Sequence, residues 1–580
     1  MSVSAQKTIW DVFVDFVASH RLFAASAMLM LVAYPLEQVV FPRLYGNIVQ
    51  RVSKRSAAGG YALFQDIKHY LVILVVLLVI AQTLYCTMDT VDTYMIPRLQ
   101  AHYRKWLVHD VLKRFENEYQ DLEMGKITSK ILKLPLTIRD IYHQIRMYIV
   151  PCLLVTIVAL AYFFYIDPPI GLVSTATLFL FYWLTVTVSK SCVPLSRRRE
   201  VAHNEPHETI DDSLSNLLSV YTANTVPREI SHLDSQEERF YRQYVKFNRC
   251  AVVSKIKFSV LYILTFVIIN GFAIYRTCEG HMSVGTLVSV LFITTYLISD
   301  VQIISGEIYD IIYNFGVLME SQRFIDALLK RQTSSTPCQQ PTPARAHAAS
   351  GSIDFHKVSF RYPRSAHYSL RDVTLHIPDG QRVVLMGNIG SGKSTITKLI
   401  LRLFAHDSGT IRVGGTDVQR IPLTTLRRQV AYVPQTPQLF NRSIADNILY
   451  GNADASVSID SIRAAIDRMH LHSVFDGLPR GLDTVCGKHG AQLSGGQRQI
   501  VVLLRILLRR DAKVLIFDEP TSALDRRHAA TVRRVMKTLM RGRTSIVITH
   551  DPAFVKVVDR IITMKDGRVA TDKRVPAPSR

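Results

Sequence analysis

Gly387-Asn388-Ile389-Gly390-Ser391-Gly392-Lys393-Ser394-Thr395 decides how the rest of this 580-residue chain is read. The apolar run Val383 to Met386 precedes it and reads as a buried strand, and Ile396 to Phe404 follows as an amphipathic helical stretch. Strand, glycine-rich turn and helix in that order bring backbone N–H groups and the positive end of a helix dipole to one point, a cradle for phosphate. In such a cradle Gly387, Asn388, Gly390, Ser391, Gly392 and Thr395 shape the nucleotide site, Lys393 reaches the terminal phosphates, and the Ser394 hydroxyl ligates Mg2+.

The chain is 48% hydrophobic with a formal charge of +22, and its mean hydropathy is +0.14. That is more apolar than a soluble enzyme needs, and the length exceeds one core, so two or more domains are expected, with membrane segments among them. In such a chain the basic excess belongs with cytoplasmic loops and anionic lipid, and no nucleic-acid partner is expected. The seven cysteines, Cys86, Cys152, Cys192, Cys250, Cys278, Cys338 and Cys486, form no CxxC pair and mostly lie in or beside apolar runs. Free structural thiols are expected rather than disulfides or a metal site. Neither a secretory signal nor a transit peptide is expected: the first apolar run lies well inside the chain, and Asp11 and Asp15 precede Arg21. Ile9, Trp10, Phe13, Phe16 and Val17 recur at helical spacing instead, which suits a short helix over about 8–18 lying in the membrane interface.

Six apolar segments are long enough to span a bilayer: about Leu22–Phe41, Tyr70–Met88, Met147–Tyr165, Ile170–Val188, Phe258–Tyr275 and Val284–Ile304. Two long polar inserts separate spans two from three and four from five. The inserts carry Arg98, Arg104, Lys105, Lys113, Arg114, Lys126, Lys130 and Lys133, and then Arg197, Arg198, Arg199, Arg239, Arg242, Lys246 and Arg249. The turns at Asp167-Pro168-Pro169 and Glu279-Gly280-His281 are nearly free of such residues, which puts the inserts and both termini on the cytosolic side, or the matrix or stromal side of an organelle. Arg51, Lys54, Arg55 and Lys68 in the first outer loop are the exception. Tyr103, Trp106, Leu107, Val111, Leu112 and Phe115 repeat at helical spacing, so the inserts read as membrane helices prolonged into the cytosol. Short amphipathic turning points are expected around Gly125 to Leu134 and Asp211 to Tyr221. The membrane domain therefore covers 1–330, and a linker rich in Ser, Thr, Pro and Ala covers 331–350.

Residues 351–580 read as a soluble α/β domain with strands Ile353–Phe355, Arg382–Met386, Val430–Val433, Val514–Phe517 and Ser545–Ile548. The fourth delivers Asp518 and Glu519 at its carboxyl edge. Downstream of a phosphate loop, Asp518 would hold Mg2+ and Glu519 would polarise the attacking water.

With Leu493-Ser494-Gly495-Gly496-Gln497 shortly before that acidic strand, the chain resembles the ATP-binding cassette family, specifically exporter-type half-transporters, over nearly its whole length. The resemblance implies a fold: an α-helical six-span membrane domain with long cytosolic helix extensions, followed by an α/β P-loop nucleotide-binding domain. It implies ATP and Mg2+ as ligands and further roles by position. Tyr362 stacks on adenine. Gln435 senses Mg2+ and the attacking water, Ser522-Ala523-Leu524-Asp525 crosses to a partner site, and His550 contacts the γ-phosphate. Leu493 to Gln497 of one subunit clamps ATP held by the phosphate loop of another. Each motif occurs once, so a dimer is implied, and with every catalytic position filled a homodimer.

One position departs from the family pattern. In Thr484-Val485-Cys486-Gly487-Lys488-His489-Gly490, Lys488 stands where the family usually has glutamate. It is either a solvated lysine or a charge reversal at the coupling surface, compensated by acids such as Asp211 and Asp212. For the cargo, Gln82, Tyr85, Asp89 and Asp92 fall on one helical face, as do Tyr296, Asp300 and Glu307, with Asp310 close by. They either line a cavity for a cationic or amphipathic molecule or form interhelical ion pairs, for example with Arg98 or Arg146. The expected function is ATP-driven export of a hydrophobic, amphipathic or peptide-like substrate by alternating access. A lipid floppase or ATP-gated channel on the same frame is the alternative. A non-transport ATPase is excluded by the spans, and the fused chain with its membrane part first disfavours an importer.

Overall fold

The computed structural model describes residues 8–54, 60–114, 124–333 and 350–575, apart from 364, 453, 455 and 523. These residues form two compact units. Most of the expected linker, and with it Arg55, Phe115, Cys338 and Ala523, lies outside the described residues.

The first unit is helical: α1 Ile9–Ser19, α2 Arg21–Pro35, α3 Phe41–Lys54, α4 Gly60–Arg114, α5 Met124–Gln144, α6 Val150–Ile166, α7 Pro168–Ser215, α8 Leu217–Thr222, α9 Val226–Cys278 and α10 Val284–Thr333. A single π-helical turn, Leu36–Val40, joins α2 to α3 just after Pro35, and a second, Ile145–Ile149, joins α5 to α6. Among the described residues five helical stretches are long and apolar enough to cross a membrane, and α10 opens with a shorter apolar stretch, Val284–Asp300. Five of the expected segments fall within those stretches, and the sixth begins with the shorter one on α10. The prolongation of spans into the inserts is direct: α4 continues through Tyr103 and Leu107, both buried.

Several contacts explain why these helices sit together. Gly46 of α3 and Gly285 of α10 approach so closely that a Cβ on Gly46 would lie 2.3 Å from the Gly285 carbonyl oxygen. Without a hydrophobic driving force between helices in lipid, such small-residue contacts let backbones gain dispersion energy. At the tight turn before α7, buried Asp167 accepts two hydrogen bonds from Arg276 near the end of α9, at 2.8 and 3.1 Å. Helix α1 starts with a Thr8–Asp11 capping box. Its Ile9, Val12 and Phe16 face is covered by protein, against Leu99, Tyr103 and Leu107 of α4 and Leu134 of α5, and the Tyr103 hydroxyl donates to the Ile9 carbonyl at 2.8 Å. Trp10 and Val14 are left outward.

Two expectations are corrected. Gly125 to Leu134 is not a separate short piece but the first half of the 21-residue α5; Ile127, Leu134, Ile138 and Ile141 repeat along one buried face that continues past Pro135. Cys192 and Cys250 are not free thiols but a disulfide. They are 58 residues apart in sequence, and it is the side-by-side course of α7 and α9 that brings their Cα atoms to 6.0 Å. Cys86, Cys152, Cys278 and Cys486 are free.

The second unit holds a six-stranded sheet ordered β10-β9-β3-β8-β7-β6 and a four-stranded antiparallel sheet ordered β2-β1-β4-β5. The strands are β1 Ile353–Phe360, β2 Leu370–Ile377, β3 Arg382–Met386, β4 Ser408–Val413, β5 Thr416–Asp417, β6 Val430–Val433, β7 Val514–Asp518, β8 Thr544–Ile548, β9 Arg560–Lys565 and β10 Arg568–Arg574. The helices are α11 Lys393–Ile400, α12 Leu423–Gln429, α13 Ile444–Leu449, α14 Ile459–Arg468, α15 His472–Phe475, α16 Gly495–Leu507 and α17 Arg526–Leu539. Side chains alternate across the pleat. Val383, Leu385, Ile516 and Ile546 face one core with α11 and the four-stranded sheet. Val384, Leu515, Phe517 and Val547 face another with α13, α14, α16 and α17. The central strands are parallel and buried on both faces, which is why they are short continuous apolar runs.

Candidate functional site

The phosphate loop joins β3 to α11. Gly387 has φ of 141°, and a Cβ there would lie 2.3 Å from the Met564 carbonyl oxygen; Gly392 has φ of 100° and is walled by the Ser369 carbonyl at 2.8 Å. Only glycine fits either place, through conformation and space together. Lys393 opens α11, nearly buried, and its ammonium donates to the carbonyls of Gly387 and Asn388 at 2.6 and 2.9 Å. Burial holds that ammonium below the ordinary lysine value, partly offset by the Glu519 and Asp518 carboxylates. The buried Ser391 hydroxyl has no protein partner. Ser394 is exposed beside these groups, Thr395 is buried, and Gly390 has open space where a Cβ would stand.

Strand β7 brings Asp518 to the mouth of the loop. Burial raises its carboxyl above the usual range, opposed by hydrogen bonds from Tyr432 and Ser394 and by the charge of Lys393. Tyr432 donates to it at 3.2 Å. Glu519 follows with φ of 44°, a left-handed conformation that costs a non-glycine residue energy, and its N–H donates to the Ile548 carbonyl of β8 at 2.8 Å. That turn aims the carboxylate at His550, whose Nε2 is 3.6 Å from Glu519 Oε1. Gln435 is exposed, two residues past β6, which is the neighbour of β7. Phosphate loop, Asp518, Glu519, Gln435 and His550 are thus all at the carboxyl edge of the parallel strands of one sheet.

Tyr362 reaches the same corner from past β1. Its hydroxyl is 3.2 Å from that of Thr395, its ring meets Phe360 and Phe404 edge-on at 5.0 and 5.2 Å, and the Lys398 ammonium stands 5.3 Å from the ring centre. In this half-buried position the ring serves the local core and still leaves surface for a flat ligand.

Ser494 caps α16. It accepts from the Gln497 N–H at 3.2 Å, and the Gln497 side chain accepts from the Ser494 N–H at 2.9 Å. Leu493 is buried, and Gly496 lets His528 of α17 come within 2.5 Å of where a Cβ would be. Gly495 is the first residue of the helix, whose positive end is available to an anion. This helix belongs to the core on the opposite face of the six-stranded sheet from α11. In the loop after Glu519, the Ser522 hydroxyl donates to the Glu519 carbonyl at 3.0 Å, Leu524 follows, and Asp525 caps α17 by accepting from the N–H groups of Arg527 and His528 at 2.9 Å each.

Two matches with known families cover the chain in this order: "ABC transporter transmembrane region" over 22–301 and "ABC transporter" over 370–522. The chain belongs to the ABC transporter family. Among similar ABC proteins, the ATP-dependent lipid A-core flippase of Alkalilimnicola ehrlichii is 31% identical over 375 residues, 65% of this chain and 62% of that protein. The flippase of the same description from Albidiferax ferrireducens is 29% identical over 505 residues, 86% and 84%. The cyclolysin secretion/processing ATP-binding protein CyaB of Bordetella pertussis is 31% identical over 476 residues, 78% and 64%. A solved bacterial Atm1-family ABC exporter with ATP bound shares the fold at a TM-score of 0.80 and 22% identity, over 96% of this chain and 95% of that one. As an ABC transporter this is an integral multi-pass membrane protein and an ATPase coupled to transport.

In the membrane domain of this ABC transporter, the acidic stripe of α4 is divided. Asp92 is buried in an ion pair with Arg146, which also stands 3.5 Å from Asp89, and Tyr142 donates to Asp92 at 3.3 Å. Tyr85 donates to Glu37 at 2.8 Å, and Asp300 accepts from Gln38 at 3.3 Å. Gln82 and Asp89 are exposed on another side of α4 together with Thr83, Cys86, Thr87 and Thr90, while Tyr296 and Glu307 are half-buried on α10. Glu37 and Gln38 escaped the sequence reading because they sit inside an apolar run; a carboxylate in such a run was the available signal. Lys488 is exposed and forms no ion pair among the described residues.

Proposed function

We propose that two copies of this chain form an ATP-driven exporter in which the phosphate loop of each copy and Leu493 to Gln497 of the other enclose one ATP. One observation carries this reading: the Ser494 helix end and the phosphate loop belong to helices on opposite faces of a single sheet. Each copy then offers a half-site on either side, and a second copy completes both. The exposed Ser394 hydroxyl bonded to the buried Asp518 carboxylate is an oxygen pair that suits a hard cation. Mg2+ held by Ser394 and Asp518, with Gln435 alongside, would supply neutralisation of phosphate charge. Lys393 leaves the loop carbonyls for the phosphates, Glu519 accepts the proton of the attacking water, and His550 holds the γ-phosphate from the other side. Tyr362 bears the adenine, and Ser522 to Asp525 relate each site to its partner. The nucleotide-binding unit and both termini are cytosolic, with the boundaries 1–330, 331–350 and 351–580.

The substrate is hydrophobic, amphipathic or peptide-like. Thr83, Cys86, Thr87, Thr90 and Asp89 make the exposed face of α4 polar at membrane depth, and three of these threonines' hydroxyls are spent on carbonyls four residues back. A face of that kind suits a water-filled passage between two copies better than lipid tails. Asp92 and Arg146 serve structure in this reading, and Gln82, Asp89, Tyr85, Tyr296, Asp300 and Glu307 remain with the passage. A lipid floppase is the second reading, favoured by the descriptions of the flippase relatives. Reconstitution in liposomes with a panel of lipids, peptides and hydrophobic ions, reading ATPase stimulation and flux, separates the two. Glu519→Gln should abolish both signals while ATP still binds; normal hydrolysis by that variant removes Glu519 as the base.

A further inference from the structure

The first unit has a concavity of about 930 Å³ between the extensions of α7, α9 and α10 that no catalytic or cargo role above uses. Arg197, Arg198, Arg239, Arg242, Lys246 and Arg323 line it against two acids, Glu205 and Glu320. Arg239 pairs with Glu205 at 3.4 Å, and Arg242 with Glu238 at 2.9 Å. Arg197, Arg198, Lys246 and Arg323 form no ion pair among the described residues, and all four are exposed in the hollow. Below them Arg199 is held over the rings of Tyr313, Tyr244 and Phe247 at 4.7, 4.8 and 5.3 Å, so a fifth cation is fixed beside the hollow. Val193, Pro194, Val201 and Met319 give the same hollow an apolar side.

Positive charge near a membrane is usually matched by lipid headgroups, and depth decides against that here. Lys246 lies twelve residues before Phe258, where span five begins, about 18 Å along a helix. Arg323 lies nineteen residues past Ile304, about 28 Å by the same measure. The headgroup layer adds only about 5 to 8 Å to each side of the hydrocarbon core. The cations therefore stand in the aqueous phase beyond the headgroups, and the apolar Val193–Pro194 end is the part nearest the membrane. A hollow of this size is within the range of small-molecule sites, and clustered guanidinium groups match the oxygens of phosphate or carboxylate.

We propose that this hollow binds a soluble organic oxyanion carrying several negative charges and an apolar part, held by Arg197, Arg198, Lys246 and Arg323. It stands on the helical unit alone, whatever the exporter carries and however its ATP sites are shared. The probe is tripolyphosphate, titrated calorimetrically onto the full chain in nanodiscs of zwitterionic lipid. Lys393→Ala is present throughout, so that the phosphate loop does not contribute. Saturable binding is expected that weakens tenfold or more in an Arg197→Ala/Arg198→Ala/Lys246→Ala variant, survives Arg197→Lys/Arg198→Lys, and falls with added salt. The same triple substitution on the wild-type loop should leave basal ATPase within about twofold, since exposed side chains outside the nucleotide site are removed. Equal affinity with and without the three cations, or no saturable binding, overturns the proposal. A second arm replaces tripolyphosphate with nanodiscs containing phosphatidylglycerol; if only that lipid engages these residues, measured as protection of Lys246 from amine labelling, the soluble ligand is wrong.

Discussion

Glu519 shows how much a single residue can store. Its φ of 44° is the conformation glycine would take at no cost, and it persists because the N–H is tied to Ile548 and because the carboxylate is thereby turned to His550. Glu519→Gln keeps the shape and removes the carboxylate proposed as the base, so turnover should fall by about 10² or more with ATP affinity retained, read by phosphate release and by nucleotide binding. Gly392→Val should act differently: at φ of 100° and against the Ser369 carbonyl it deforms the cradle itself, so ATP binding is lost along with turnover. The residues of this corner were legible in sequence because short motifs at strand ends have few structural meanings. The Asp92–Arg146 ion pair was legible only as one alternative, with Arg98 equally open as the partner, because the choice across 54 residues depends on where α4 meets the α5–α6 junction. Tyr432 was seen only as a strand residue, although its hydroxyl donates to Asp518 alongside that of Ser394.

At the scale of elements, long helices were read well and short strands less so. The central strands announce themselves as apolar runs between turn signals. β2, β4, β9 and β10 were missed because each alternates buried with exposed residues or is mostly exposed, and β2 begins straight after the Tyr362 loop. The Gly46–Gly285 contact gives a test of helix assembly. Gly46→Leu must displace α3 from α10, since its Cβ alone would lie 2.0 Å from the Ser289 hydroxyl oxygen. Overpacking of this kind costs about 1 to 3 kcal/mol, seen as a lower melting temperature in detergent; an unchanged transition would mean that the two helices do not meet there. The disulfide between α7 and α9 gives another. Denatured without reductant, the protein should show two fewer reactive thiols than after reduction, and Cys192→Ser should abolish the difference.

For the whole molecule, nucleotide binding gives a readout in stability. ATP that binds only the folded protein stabilises it by about 2.7 kcal/mol at a hundred times its dissociation constant. The nucleotide-binding unit should therefore melt several degrees higher with ATP and Mg2+ in the Glu519→Gln background, where hydrolysis does not drain the ligand; Lys393→Ala should lose that shift. The division of labour between the faces of the sheet makes a stronger demand, that neither copy hydrolyses ATP alone. Lys393→Ala and Ser494→Arg chains, each inactive by itself, are mixed so that subunits exchange, and ATPase is measured. A mixed pair retains one intact phosphate loop facing one intact Ser494 helix end, so activity should reappear well above the sum of the two parents. If mixing restores nothing although mixed pairs are present, each chain completes its own site and the shared-site account is contradicted.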